Sequence, residues 1–219
     1  MIKKLNGCIF PKTLPQNAKD RIMRTKLTLL VTLFFIQLSC LYPGTAMAVN
    51  IKGIELPAQI TQEQTQQVLL LNGAGVRTKF FFDIYVGALY LSKPSKDSTQ
   101  VLNDQKSKRI SMTFLYDKVE KKKMTDGWTE AFKDNLTDKA FNDLTPKIDK
   151  FNGAFADTLK GDVVNIDFIN NKETVVIINN TEKSRISGSD FQRAVLSIWL
   201  GESPADDDLK QAMLGLTEE

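Results

Sequence analysis

From Phe80 to Leu91 the chain reads FFFDIYVGALYL, apolar at odd and even positions alike, with Asp83 the one charged interruption. A strand of this kind has to be covered on both faces, so the fold must supply a layer on each side of it. Immediately before it, Leu71 to Lys79 (LNGAGVRTK) place a glycine pair and Arg77 at the mouth of the apolar run. A dinucleotide loop would need a third glycine where Thr78 stands, and a helix after the loop to face the pyrophosphate. The Phe80-Phe81-Phe82 run is strand-forming, and no G-K-[ST] closes a Walker loop. Gly73 and Gly75 are therefore expected to form a tight turn at positive φ. Arg77 then has two uses: an internal ion pair with Asp83, or a grip on the anionic or carbonyl head of a ligand whose tail lies among apolar side chains.

The remaining pattern runs from strands to helices and back. Val49-Asn50-Ile51 and Ile54-Glu55-Leu56 alternate, Val68 to Leu71 is a short apolar strand, and Arg109 to Tyr116 alternates again. Met124 to Phe141 changes to helical period, with Met124, Trp128, Ala131, Phe132, Leu136 and Ala140 on one face. Thr145 is expected to cap a second helix with Pro146 at its first position and Gly161 beyond its end. Val163 to Ile169 and Thr174 to Ile178 form a hairpin around Asn170-Asn171-Lys172-Glu173. Ser189 or Asp190 caps a long helix stopped by Gly201, and Leu209 to Leu214 add a final amphipathic turn. Strands grouped around helices on one face predict an α+β domain built on an antiparallel sheet.

Two regions divide the 219 residues: an N-terminal extension and signal peptide over 1–48, and a single domain over 49–219. Starting from Met23, Arg24 and Lys26 precede the apolar run Leu27 to Leu41, and Ala46-Met47-Ala48 offers a small-x-small cleavage site. The run is shorter than the ~20 residues of a membrane span. The chain is therefore expected to be exported to the periplasm or beyond, without a stable membrane span in its mature form. Both cysteines, Cys8 and Cys40, fall in the removed part, and the chain has no histidine. Thiol nucleophiles, Ser-His pairs, disulfides and His/Cys metal sites are excluded together, and no cofactor is expected. Seven of the 29 basic residues and one of the 26 acidic ones precede Val49, leaving 22 against 25. A nucleic-acid footprint is absent from such a balance.

The segments LNGAGVRTKFFFDIYVGALYL, GDVVNIDF, SGSDFQRAVLSIWLG and SPADDDLKQAMLG together resemble the bacterial secreted branch of the chalcone isomerase-like family, over essentially all of Val49 to Gly215. The resemblance implies an open-faced β-sandwich, a large antiparallel sheet covered by a helical layer with a ligand cleft between them. Plant enzymes of the family cyclise a chalcone with an arginine, a threonine, a tyrosine and an asparagine. By position these fall on Arg77, Tyr85, Trp128 and Asn135, and a further cleft threonine falls on Ile198. The arginine and asparagine are kept, and the hydroxyls that would activate a ketone are lost at Trp128 and Ile198. An Arg and Tyr pair is similar to that of fatty-acid-binding relatives, where it holds a carboxylate.

Three functions follow from this resemblance. One is non-catalytic binding of a fatty acid or similar amphipathic carboxylate, with Arg77 and Tyr85 at the head and Phe80, Phe82, Trp128 and Phe132 toward the tail. A second is an isomerase, or intramolecular lyase, using Arg77, Tyr85 and Asn135. The third is a ligand-free scaffold for a protein partner. Asn135 projects from the apolar stripe of its helix and either caps local backbone or points into a cavity. Trp128 and Trp199 read as packing residues, with Trp128 also a candidate cleft wall. On one straight strand, Arg77 and Tyr85 would stand roughly 26 Å apart. Sharing one head group would require a bend or bulge between them.

Overall fold

A computed structural model describes residues 48–217 of the chain. The expected extension and signal peptide lie outside the described residues, apart from Ala48. Eleven strands and five helices follow among those residues: β1 (Val49–Ile51), β2 (Ile54–Leu56), β3 (Gln59–Thr61), β4 (Val68–Lys79), β5 (Phe82–Leu91), α1 (Ser98–Asn103), β6 (Lys108–Phe114) and β7 (Lys118–Val119). After them come α2 (Lys121–Asn135), α3 (Asp138–Gly153), β8 (Thr158–Leu159), β9 (Val163–Ile169), β10 (Glu173–Ile178), β11 (Thr181–Ser187), α4 (Ser189–Leu200) and α5 (Asp207–Met213).

Seven strands make one antiparallel sheet in the order β11-β10-β9-β6-β5-β4-β3. The doubly apolar stretch becomes an interior strand, β5, between β6 and β4. Tyr85, Leu89 and Leu91 of β5 join the main core beneath the helices, with Trp128, Phe132, Phe151, Phe191 and Trp199. Val86, Ala88 and Tyr90 point the other way, into a smaller cluster with Leu56 and Leu69 that Ile51 and Ile54 of the β1–β2 hairpin help to cover. The strand is thus covered on both faces by unequal layers, and the architecture is α+β with helices packed on a large antiparallel sheet. None of the helices among the described residues is long and apolar enough to cross a membrane.

Several boundaries differ from the sequence reading. Gly73 and Gly75 do not turn the chain; both lie within β4 at ordinary strand φ. Their smallness serves packing, because α5 sits directly on the strand pair. A Cβ on Gly73 would strike the Ala212 carbonyl oxygen, one on Gly75 would lie 2.6 Å from the Ala212 Cβ, and one on Gly87 would lie 2.7 Å from the Met213 Cε. The reversal falls instead at Phe80-Phe81, both at positive φ (49° and 71°), so β5 begins at Phe82.

The helical stretch from Met124 to Phe141 is two helices, because Leu136 is extended and Thr137 caps α3 by accepting from the Ala140 N–H. Thr145 therefore caps nothing. It donates to the Phe141 carbonyl at 3.0 Å, and Pro146 is carried inside α3. Neither Ser189 nor Asp190 is the N-cap of α4; that place is taken by Gly188 at φ 122°. The strand β11 was not anticipated. Asn179-Asn180, at φ 49° and 61°, turns β10 into it.

Candidate ligand-binding site

The tight reversal at Phe80-Phe81 brings Arg77 and Tyr85 face to face as cross-strand partners in the β4–β5 ladder. Reversal of the chain, and not a bend in one strand, removes the expected separation. A register shift beside the pair leaves Ile84 as the extra residue of β5, since Thr78 pairs with Asp83 and Arg77 with Tyr85. The Arg77 guanidinium carbon lies 5.8 Å from the Tyr85 ring centroid.

Arg77 makes no ion pair among the described residues. Asp83, its candidate internal partner, is bound by Lys52 at 3.1 Å, and the Nε of Arg77 is buried without a hydrogen bond. Tyr85 is 1 % exposed, and its hydroxyl accepts from the Trp199 indole N–H at 2.9 Å. That bond occupies one lone pair of the oxygen and leaves the phenolic proton free to be donated. Burial pushes the Tyr85 phenol above its ordinary value; Arg77 and the Trp199 hydrogen bond pull it back, and Asp206 pushes it up again. The hydroxyl is consequently a neutral donor throughout the physiological range. The carboxylate of Asp206 is occupied by the backbone N–H groups of Thr78 (3.1 Å) and Leu209 (2.9 Å), fixing the start of α5 beside the pair.

A cavity of about 510 Å³ adjoins the Arg77–Tyr85 pair. Its inner wall is formed by the buried residues Tyr85, Phe114, Met124 and Trp128, and its rim by exposed Lys79, Phe80, Phe82, Tyr116, Lys118 and Lys123. The volume lies within the ~300–1,000 Å³ typical of small-molecule sites. Trp128 also carries a buried indole N–H with no hydrogen-bond partner. Arg77 and Trp128, each with one buried donor left unsatisfied, are therefore both residues of this hollow.

Of the residues singled out from the sequence, the cavity brings together Arg77, Tyr85, Phe80, Phe82 and Trp128. It does not include Phe132 or Asn135. Phe132 is fully buried, with its ring 6.0 Å from Phe151 and 6.1 Å from Phe191, so it belongs to the core. Asn135 is turned away at the end of α2. Its amide donates to the carbonyls of Ala131 (2.9 Å) and Ser203 (2.6 Å) and accepts from the Ser203 N–H at 3.2 Å, which ties the loop after α4 to the helix. Both amide hydrogens are thus spent on local backbone, and the side chain lies outside the cavity. Ile198 is buried in α4 and is not among the cavity residues.

The structure adds residues that sequence reading did not place at the site. Met124 and Tyr116 were legible only as a helix-stripe position and a strand end, and Trp199 only as packing. Trp199 does pack, 5.3 Å from Trp128, but its N–H also sets the orientation of the Tyr85 hydroxyl. No local sequence signal joins two residues that are 114 positions apart.

The model of chalcone isomerase-like proteins matches residues 48–215. The chain belongs to the chalcone isomerase-like family. No curated protein matches it significantly. Among the solved structures similar to this chalcone isomerase-like protein is the crystal structure of an Arabidopsis thaliana fatty-acid binding protein. The two share 14% sequence identity and a TM-score of 0.59, over 77% of this chain and 96% of the plant one. That likeness establishes the shared fold. Within it, this chalcone isomerase-like domain has Arg77, Tyr85 and Trp128 at its cavity, while the positions of Asn135 and Ile198 lie outside.

Proposed function

We propose that this protein is an exported, non-catalytic binder of a fatty acid or a similar amphipathic carboxylate. The observation that carries this reading is the Arg77 guanidinium, which forms no ion pair among the described residues, in the wall of a largely apolar cavity that Tyr85 and Trp128 also line. A guanidinium without an internal partner is costly beside apolar surface, and a carboxylate is the simplest ligand that neutralises it. The tail would run along Phe114, Ile84 and Met124 toward Phe82 at the rim. The fatty-acid-binding activity of the similar plant structure agrees with this reading. Export rests on the leader from Met23 to Ala48.

The cyclising alternative is weakened, because Asn135 is committed to Ser203 and neither Trp128 nor Ile198 carries a hydroxyl. Extraction of the purified protein followed by mass spectrometry tests the proposal, together with displacement of a fluorescent fatty acid by palmitate. Arg77→Ala is expected to weaken palmitate roughly tenfold to a hundredfold, as loss of a charge-assisted bond implies. An empty wild-type cavity with no measurable palmitate displacement would refute the reading.

A further inference from the structure

The tip of the β4–β5 hairpin contradicts the turn chemistry used elsewhere in the chain. Three reversals place two consecutive non-glycine residues at positive φ: Asn170-Asn171 (42° and 55°), Asn179-Asn180 (49° and 61°) and Phe80-Phe81 (49° and 71°). Asparagine tolerates the left-handed region, whereas a phenylalanine there crowds its own backbone and gains no local hydrogen bond in return. Nor do these rings help the fold by burial: Phe81 is 100% exposed, Phe80 79% and Phe82 56%. Backbone strain at Phe80-Phe81 coincides with apolar surface exposed over three successive residues, and no internal packing accounts for the strained, fully exposed Phe81.

We propose that Phe80-Phe81-Phe82 and the lysines around them form a surface that docks on an anionic lipid bilayer. The size of the patch favours a bilayer over a protein. Three rings of this exposure present roughly 450 Å², against the ~800 Å² per partner of a stable protein interface. A two-residue tip is also convex, which suits insertion among headgroups and gives a flat partner little to cover.

Charge points the same way. Lys79 and Lys123 share the cavity rim with the phenylalanines, and Lys118 links it to an adjoining hollow lined by Lys121 and Lys122. Together the two hollows carry six basic side chains, Arg77 included, against the acidic Glu120, Asp126, Glu130 and Asp157. Three of the lysines are paired: Lys118 with Asp157, Lys122 with Asp126 and Lys123 with Glu120. Lys79 and Lys121 form no ion pair among the described residues. A local excess of positive charge on a domain whose residues 49–219 carry 22 basic and 25 acidic groups is suited to anionic headgroups. The docking surface does not depend on what the cavity holds, although it borders the mouth of that cavity.

The described residues carry a complete core of their own, so residues 49–219 produced alone suit the test. Sedimentation with phosphatidylcholine vesicles containing phosphatidylglycerol is compared with sedimentation on phosphatidylcholine alone, at low and high salt. Association with the anionic vesicles, weakened by salt, is expected. Phe81→Gly and the pair Phe80→Asn, Phe81→Gly should each reduce partitioning, the pair by about tenfold or more, while raising the thermal midpoint by relieving the turn. Phe81 does not line the cavity, so its substitution separates failure of docking from failure of ligand binding. Absence of vesicle association by the wild type, equal partitioning of the variants, or a dimer that the tip substitutions dissociate in place of vesicle binding would each overturn the proposal.

Discussion

The indole N–H of Trp199 donates to the hydroxyl of Tyr85 at 2.9 Å, joining the last long helix to β5 at the polar end of the cavity. The bond leaves the phenolic proton for a ligand, so the two residues have separable consequences. Tyr85→Phe is expected to weaken palmitate about tenfold and to lower stability by about 1–3 kcal/mol, since it strands a buried indole donor. In Trp199→Phe the phenol loses its partner but keeps its proton, so stability should fall with a smaller effect on affinity. Titration of palmitate and urea unfolding of the two single variants and the double variant measure the coupling.

Asn135 is placed by the structure as a clamp between α2 and the loop holding Ser203. Asn135→Ala should cost about 0.5–1.5 kcal/mol in urea unfolding through the loss of its bonds to the exposed Ser203 backbone and to the Ala131 carbonyl. Ligand affinity should be unchanged. A large loss of affinity with intact stability would return the residue to the binding site.

The glycines of β4 and β5 predict a graded series. Gly73→Ala meets the backbone of α5 and should be the most damaging. Gly75→Ala meets the Ala212 Cβ, and about 1–3 kcal/mol of overpacking is expected. At Gly87 the obstacle is the flexible end of Met213, so Gly87→Ala should be the mildest. Urea midpoints of the three variants check the order.

Alkaline pH should expose the buried phenols. Burial pushes Tyr90 from 10.0 up to about 12, against a smaller opposing pull from Arg109. The folded domain holds this proton more tightly than the unfolded chain, so the contribution is fully present below pH 10 and is lost as pH rises toward about 12. Tyr85 shifts in the same direction. Tyr90→Phe should flatten part of the decline in urea midpoint between those limits, with no difference from wild type near neutrality.

What was legible in the chain was periodicity, and what was hidden was distance. The two-sided apolar pattern of β5 marked it as a strand covered on both faces, and helix stripes located Trp128 and the aromatic core because burial leaves a repeating mark. Arg77 was noticed because a guanidinium beside an apolar strand needs an anion. The glycines misled because their freedom of φ is a local property, whereas here they answer to a helix more than 130 residues later. Phe80-Phe81 was read as strand for the same reason: every local preference of phenylalanine says so, and the turn that holds it runs against that preference. Double asparagines mark both later hairpins, at Asn170-Asn171 and Asn179-Asn180. Asn135 looked available on its helix face, and only the position of Ser203 shows that it is spent.

The order in which the domain can be completed follows from α5. β4 and β5 can pair early, yet their glycine-lined face stays bare until Ala212 and Met213 pack on it, and the Thr78 amide waits for Asp206. Seating of this last helix, and not closure of the sheet alone, therefore finishes the surroundings of the Arg77–Tyr85 pair.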